Sequence, residues 1–198
     1  RGGLPFANPP RFYEVFVVTK LGFMKTYSGN LFYPDDIENS TFCIEDVAHS
    51  LSKLCRFGGH TKGFYSVAQH SVLVSHLVPS DMAMTALLHD ATEAYLVDLP
   101  RAVKYMLPDY RELEDKLMSH LAKIFSVSYP FPPEVKVADN IALATERRDL
   151  MLPGEEDWGL TEKPVPEHID PMSPTMAFHI FMTRYKELKD TQVALAGT

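Results

Sequence analysis

TALLHDATEAYLVDLP, residues 85–100, reads as a buried helix with His89, Asp90 and Glu93 in its middle and Asp98 shortly before Pro100. Met82, Ala86, His89 and Glu93 fall on one helical stripe, and Ala83, Leu87, Asp90 and Ala94 on the adjacent one. The small residues on both stripes permit close packing on several sides. A carboxylate buried there without a partner is costly, or it shifts its pKa until it is neutral. This stretch therefore predicts a helical core that carries charge for a reason.

The surrounding chain is helical too. Ile44, Val47, Ala48, Leu51, Leu54 and Cys55 recur at helical spacing from about residue 41, and Gly58-Gly59 in FGGH stops that pattern. A second helix is expected over Phe64–Val78, ending at Pro79. On it Val67, His70, Val74 and Leu77 share a face, so His70 points toward the core. Ser80 and Asp81 cap a third helix running to about Tyr95. A short helix begins with Pro100 in its first turn, where a missing N–H costs little, and a fifth covers Asp109–Phe125.

Pro130, Pro132 and Pro133 enforce a loop before a sixth helix over Glu134–Leu152, where Val135, Asp139 and Ala142 align. PGEEDWGLTEKPVPEHIDPMSP is then a proline-rich connection whose length suits a lid, a wrapping loop or a mobile segment. A last amphipathic helix spans Pro174–Leu188. Near the N-terminus, KTYSGNLFYP carries a hairpin signal around Ser28-Gly29-Asn30. The expected fold is all-α, with one small N-terminal β-hairpin.

The 198 residues suit one domain with a sizeable core. A net charge of −7 argues against a general nucleic-acid binder, which needs a dense basic surface, but not against a small nucleotide ligand. Cys43 and Cys55 are the two cysteines. Both fall in an apolar helical pattern and read as buried thiols, which suits a reducing cytoplasm. FYEVFVVTKLGF is too short to span a bilayer and contains Glu14 and Lys20. Residues 1–23 open on the irregular RGGLPFANPPR. They are set apart from the 24–198 domain either as an appended or accessory extension or as a native arm packed as an edge strand.

Three helices thus aim His70, the His89–Asp90 pair and Asp139 inward, and a shared divalent cation is the simplest common explanation. Taken singly, each has a plainer reading. His70 suits a hydrogen-bonded core histidine, and Asp139 suits a salt-bridged carboxylate with Arg147 or Arg148 as one candidate partner. Glu93 suits a solvated helix end.

The order His70, His89-Asp90, Asp139 resembles the H…HD…D pattern of HD-domain phosphohydrolases, an all-α superfamily of metal-dependent phosphate hydrolases. CRFGGH, YSVAQHS, LLHDATEAYLVDLPRAVKY and VADNIALATERRDL are similar to its YfdR-type branch, which is related to the YfbR-type 5′-deoxynucleotidases. The likeness covers about residues 24–190. It implies an HD-domain helical bundle in which His70, His89, Asp90 and Asp139 ligate one divalent transition metal. Mn²⁺, Co²⁺, Zn²⁺ and Fe²⁺ all accept that donor set.

The same resemblance assigns Glu93 and Asp98 to proton transfer around a metal-activated water, without saying which is the acid. It puts Arg56 at phosphate and sugar, where its fork binds phosphate bidentately. Phe57 falls at an aromatic position able to stack on a base, or is a core residue. Lys104 is a phosphate candidate or an ordinary surface lysine. His60 and Lys62 are candidates for the mouth of the site, whereas Arg147 and Arg148 read as structural.

The implied reaction is that of a 5′-deoxynucleotidase, converting a dNMP and water into deoxynucleoside and phosphate. The nearest alternative is a deoxynucleoside triphosphate triphosphohydrolase, for example one releasing triphosphate from dATP. A non-catalytic metal- or nucleotide-binding regulatory module is the alternative of another class. Guanosine-tetraphosphate hydrolases carry an acidic pair where this chain has Glu93-Ala94, and the HD-GYP phosphodiesterases carry a GYP motif that it lacks. Beyond a small-molecule substrate, the expected partner is a second copy of the chain, as a homodimer or larger assembly. Nucleic acid and membrane are not expected.

Overall fold

A computed structural model describes residues 22–196. Apart from Gly22 and Phe23, the 1–23 extension lies outside the described residues. The fold is all-α with one small hairpin, as the periodicity predicts. Strands β1 (Met24–Lys25) and β2 (Leu31–Phe32) pair antiparallel, with Met24 opposite Phe32. Among the described residues, eight α-helices follow: α1 (Ile44–Lys53), α2 (Val67–His76), α3 (Ala83–Leu87), α4 (Glu93–Leu96), α5 (Arg101–Lys104), α6 (Pro108–Phe125), α7 (Pro133–Leu150) and α8 (Pro174–Ala196).

Helix α2 is central and packs against α1, α3, α7 and α8. Because neighbours surround it, both its apolar and its polar side chains are buried, from Val67 and Val74 to Gln69, His70 and Ser71. Ser66 caps its N-terminus by accepting from the Gln69 backbone N–H at 3.1 Å. At its other end Arg184 of α8 donates to the Ser75 hydroxyl and carbonyl, each at 3.1 Å. The main core joins Phe32, Val47, Leu51, Leu87, Leu117, Leu121 and Phe181. A second cluster of Val74, Ala86, Val135, Ala138 and Ala142 lets α2, α3 and α7 approach closely.

The hairpin is tied to α1 through Asp46, which is buried. Its carboxylate accepts from Thr26 Oγ1, Ser28 N and Ser28 Oγ, each at 2.7 Å, and from Asn30 Nδ2 at 3.2 Å. Burial pushes its pKa up, but these donors outweigh it and hold the group below the usual carboxylate value.

Two expectations are corrected. The thiols lie outside the helical core: Cys43 is the N-cap of α1, Cys55 bridges Ser66 beyond its end, and both are free and half-buried. The single helix expected to reach Tyr95 is broken between Leu87 and Glu93. There the Ala91 and Glu93 N–H groups bond three residues back, to Leu88 and Asp90, instead of four. The Ala86 carbonyl, which would receive the Asp90 N–H in an unbroken helix, accepts His89 Nδ1 at 2.7 Å. His89 and Asp90 therefore sit on a tight turn between α3 and α4.

Candidate metal centre and cleft

Four elements meet at the site. His70 comes from the middle of α2, His89 and Asp90 from the turn after α3, and Asp139 from the second turn of α7. Arg56 comes from the loop between α1 and α2. That loop is closed by the Cys55–Ser66 bridge and by Arg56 N donating to Tyr65 O at 2.9 Å.

His70 Nε2 lies 3.4 Å from His89 Nε2 and 3.3 Å from Asp139 Oδ1. Donor atoms of His70, His89 and Asp139 all fall within 4.8 Å of one another, a spacing that bonds of about 2.0–2.2 Å to a shared ion can span. Asp90 adjoins both imidazoles, at 3.5 Å from His70 Nε2 and 3.3 Å from His89 Nε2, and its Oδ2 also meets Arg56 at 3.5 Å. The three converging residues could hold a metal ion, and Asp90 stands beside them.

The hydrogen bonds behind the imidazoles support that fit. His89 commits Nδ1 to Ala86 O, which leaves Nε2 as the acceptor facing the centre. His70 Nδ1 meets Glu146 Oε1 at 2.6 Å, so its Nε2 also faces the centre. A carboxylate behind a ligating histidine fixes its ring and raises its basicity.

Glu146 is 0% exposed and also takes Arg56 NH2 at 3.2 Å. Burial pushes it up, but Arg56 and His70 hold it low and ionised. Burial and Arg56 likewise depress His70, yet the Glu146 and Asp139 carboxylates prevail and raise it to about 9 in the metal-free protein. Asp139 is held far below the carboxylate range despite burial, by His70 and His89, and Lys136 lies 2.7 Å away.

Above this cluster opens a cleft of about 640 Å³, lined by Arg56, Phe57, Asp90, Glu93, Asp98 and Asp139 together with Lys104 and Trp158. Glu93, from the first turn of α4, is 5% exposed, and its Oε2 has no hydrogen-bond partner. Burial, then the Asp90 and Asp98 charges, push its pKa well above the usual value. Asp98 is raised by burial against the pull of Arg56. It is turned into the cleft after Val97, which adopts φ 64°, a conformation a β-branched residue rarely accepts.

The remaining candidates divide. Phe57 lines the cleft beside Arg56, whose Cζ lies 5.4 Å from its ring centroid. Lys104 lines it too, but its Nζ is bound to Glu114 at 2.7 Å. His60 and Lys62 do not belong to the lining. Phe57, Gly58 and Gly59 run through positive φ and carry the chain away to an exposed His60, while Lys62 is pinned to the C-terminal end of α7 by Leu150 O and Asp149 O. Asp139 pairs with Lys136 instead of Arg147 or Arg148. Those two arginines hold the 151–173 connection, at Glu156 O and at Val165 O and Glu167 O.

Glu146, behind His70, and Trp158, in the cleft wall, are positions at the site that the sequence reading missed. Glu146 was within reach of it: continuing the Val135, Asp139, Ala142 stripe by one turn arrives at residue 146. Trp158 had no such signal, because it lies in a connection without periodicity.

No protein-family model matches the chain. It is 44% identical over 173 residues to an uncharacterized protein, YfdR, of Escherichia coli strain K12, across 86% of this chain and 97% of that one. It is 35% identical over 131 residues to an uncharacterized protein of Rhodobacter capsulatus, across 59% of this chain and 64% of that one. Among the described residues no helix is long and apolar enough to cross a membrane. With 97% of that protein and 86% of this chain aligned at 44% identity, the chain belongs to the YfdR family.

Proposed function

We propose that this chain is an HD-type, metal-dependent phosphohydrolase of deoxynucleotides, acting as a 5′-deoxynucleotidase. One observation carries the reading: a buried Glu93 carboxyl with an unpartnered oxygen lines the same cleft as Asp139, which converges with His70 and His89 at its floor. A structural metal has no use for such a group, which speaks against the purely regulatory module. A divalent ion held by these residues and Asp90 would supply Lewis-acid stabilisation of phosphoryl charge and acidify water.

The chain's own groups supply the rest. Arg56 is oriented by Glu146 and Asp90, so its fork is fixed before a phosphate arrives. Glu93, whose pKa burial and the neighbouring Asp90 and Asp98 carboxylates push up, is the carboxyl in the cleft best suited to hold a proton. In hydrolysis of a dNMP, water oxygen bonds to phosphorus and the bond from phosphorus to the 5′ oxygen breaks. Glu93 gives its proton to that leaving oxygen and is reprotonated by the proton the attacking water releases, which leaves hydrogen phosphate and the deoxynucleoside.

The triphosphohydrolase reading draws support from Arg101, Lys104 and Lys136, which line the cleft with Arg56. Beyond Arg56, two of the other three cations are already engaged: Lys104 by Glu114 and Lys136 by Asp139. The monophosphate, needing fewer free cations, is the better fit. A panel of dNMPs and dNTPs with Mn²⁺ or Co²⁺, scored for phosphate and for triphosphate, tests the choice. Phosphate from dNMPs is expected. Triphosphate from dNTPs alone would transfer the assignment, and inactivity on every substrate would refute it.

A further inference from the structure

We infer that Trp158 is the platform on which the substrate's base stacks, so that the proline-rich connection between α7 and α8 supplies specificity to the cleft. This rests on the nucleotide reading proposed above. The connection is mostly exposed around this point, but Trp158 is half-buried and folds back to line the cleft. Its ring centroid lies 6.0 Å from that of Phe57, with the planes at 53°.

The backing of the indole is built. The Arg147 guanidinium carbon lies 5.3 Å from the Trp158 centroid, and Arg147 also donates to Glu156 O just before it. Arg147 does not line the cleft, whereas the indole does. A cation on one side of an aromatic ring holds it in place through the ring quadrupole. Gly159 N donating to Asp157 Oδ1 at 2.7 Å, with Gly159 at φ 65°, turns the chain immediately afterwards.

The other wall is held in a costly conformation. Phe57 has φ 56° and ψ 29°, left-handed values that a non-glycine residue adopts only when its surroundings impose them. That conformation sets Phe57 beside Arg56 and facing Trp158. A phosphate at Arg56 then has two aromatic rings beyond it in one continuous cleft. The ligand chemistry that uses both is a phosphate joined to a planar aromatic heterocycle. Each stacked base is tolerated by type, because every base has a π-face, so Trp158 selects for the presence of a base more than for its identity.

The chain contains one tryptophan, so intrinsic indole fluorescence reports this position alone. Titration with deoxyadenosine, which cannot be turned over by a phosphatase, is expected to quench it saturably. Deoxyribose 5-phosphate is expected to leave it unchanged. By calorimetry, Trp158→Ala should weaken deoxyadenosine binding about tenfold and Trp158→Phe about twofold or less, with melting curves checking that both variants fold. Equal quenching by the base-free sugar phosphate, or equal affinity in Trp158→Ala, would overturn the inference while leaving the phosphohydrolase reading intact. Failure of the wild type to bind any deoxynucleoside or deoxynucleotide would overturn both.

Discussion

Removing Glu146 tests whether the candidate metal centre depends on what stands behind it. The carboxylate is completely buried, 2.6 Å from His70 Nδ1 and 3.2 Å from Arg56 NH2. Glu146→Gln keeps the shape and an acceptor for the imidazole N–H but removes the charge. Arg56 then retains only Asp90, at 3.5 Å. Loss of a buried charged hydrogen bond costs about 2 kcal/mol, and complete loss of a buried partner in Glu146→Ala about 3–5 kcal/mol. For a domain of this size, 2 kcal/mol lowers the melting temperature by roughly 4–8 °C. Loss of a carboxylate behind a ligating histidine weakens metal binding about 10–100-fold, with Gln at the lower end and Ala at the upper. Co²⁺ titration followed by visible absorption reads the affinity, and melts of metal-free protein read the stability. Asp46→Ala is the control: it is a buried carboxylate at the hairpin, away from the cleft, and should lower the melting temperature while leaving Co²⁺ affinity unchanged. If Glu146→Gln bound Co²⁺ as tightly as wild type, or if the Asp46 control weakened it equally, the metal centre would not depend on Glu146.

Glu93→Ala should retain Co²⁺ affinity and lose about 10²–10⁴-fold in turnover of the best dNMP; activity equal to wild type would sink its role as acid. Asp46→Ala should cost about 2–3 kcal/mol in chemical denaturation, because it strands the donors on Thr26, Ser28 and Asn30. The native Asp46, with its lowered pKa, contributes stability above its unfolded value and loses it as pH falls through the folded one. Metal-free protein should behave oppositely around His70, whose pKa is raised from 6.5 to about 9. That contribution is full below pH 6.5 and fades as pH rises toward 9, so metal-free melting temperatures should drop across this window in wild type and not in His70→Ala. Metal needs the neutral imidazole, so Co²⁺ affinity should rise over the same range with proton release on binding. A flat affinity from pH 6.5 to 9 would contradict this.

The parts of the site legible in the sequence were those carried by regular helices. His70 on α2 and Asp139 on α7 point inward because apolar neighbours at helical spacing do so, and the structure brings both to His89. The break around His89 was not legible. The apolar stripes run straight through it, and the interruption comes with a side chain capturing the Ala86 carbonyl, a local competition with the backbone that periodicity does not express. Asp98 depends similarly on the positive φ of Val97, which tertiary surroundings impose. The placement of Trp158 is set by Arg147 and Phe57, neither of them near it along the chain.

These departures share a physical logic. A continuous helix from Met82 to Tyr95 would separate His89 and Asp90 by about 100° around its axis. Breaking the helix exchanges four-back for three-back hydrogen bonds and lets both side chains lie within 3.5 Å of His70 Nε2. The core tolerates the concentrated charge because Arg56, His70, Glu146 and Asp139 form interlocking opposite-charge contacts. Glu93 stands outside that compensation, buried with one carboxyl oxygen unpartnered. Satisfying it would have required only a nearby hydroxyl or amide. A stable fold gains nothing from leaving that oxygen bare, whereas a proton donor for an incoming substrate requires it free.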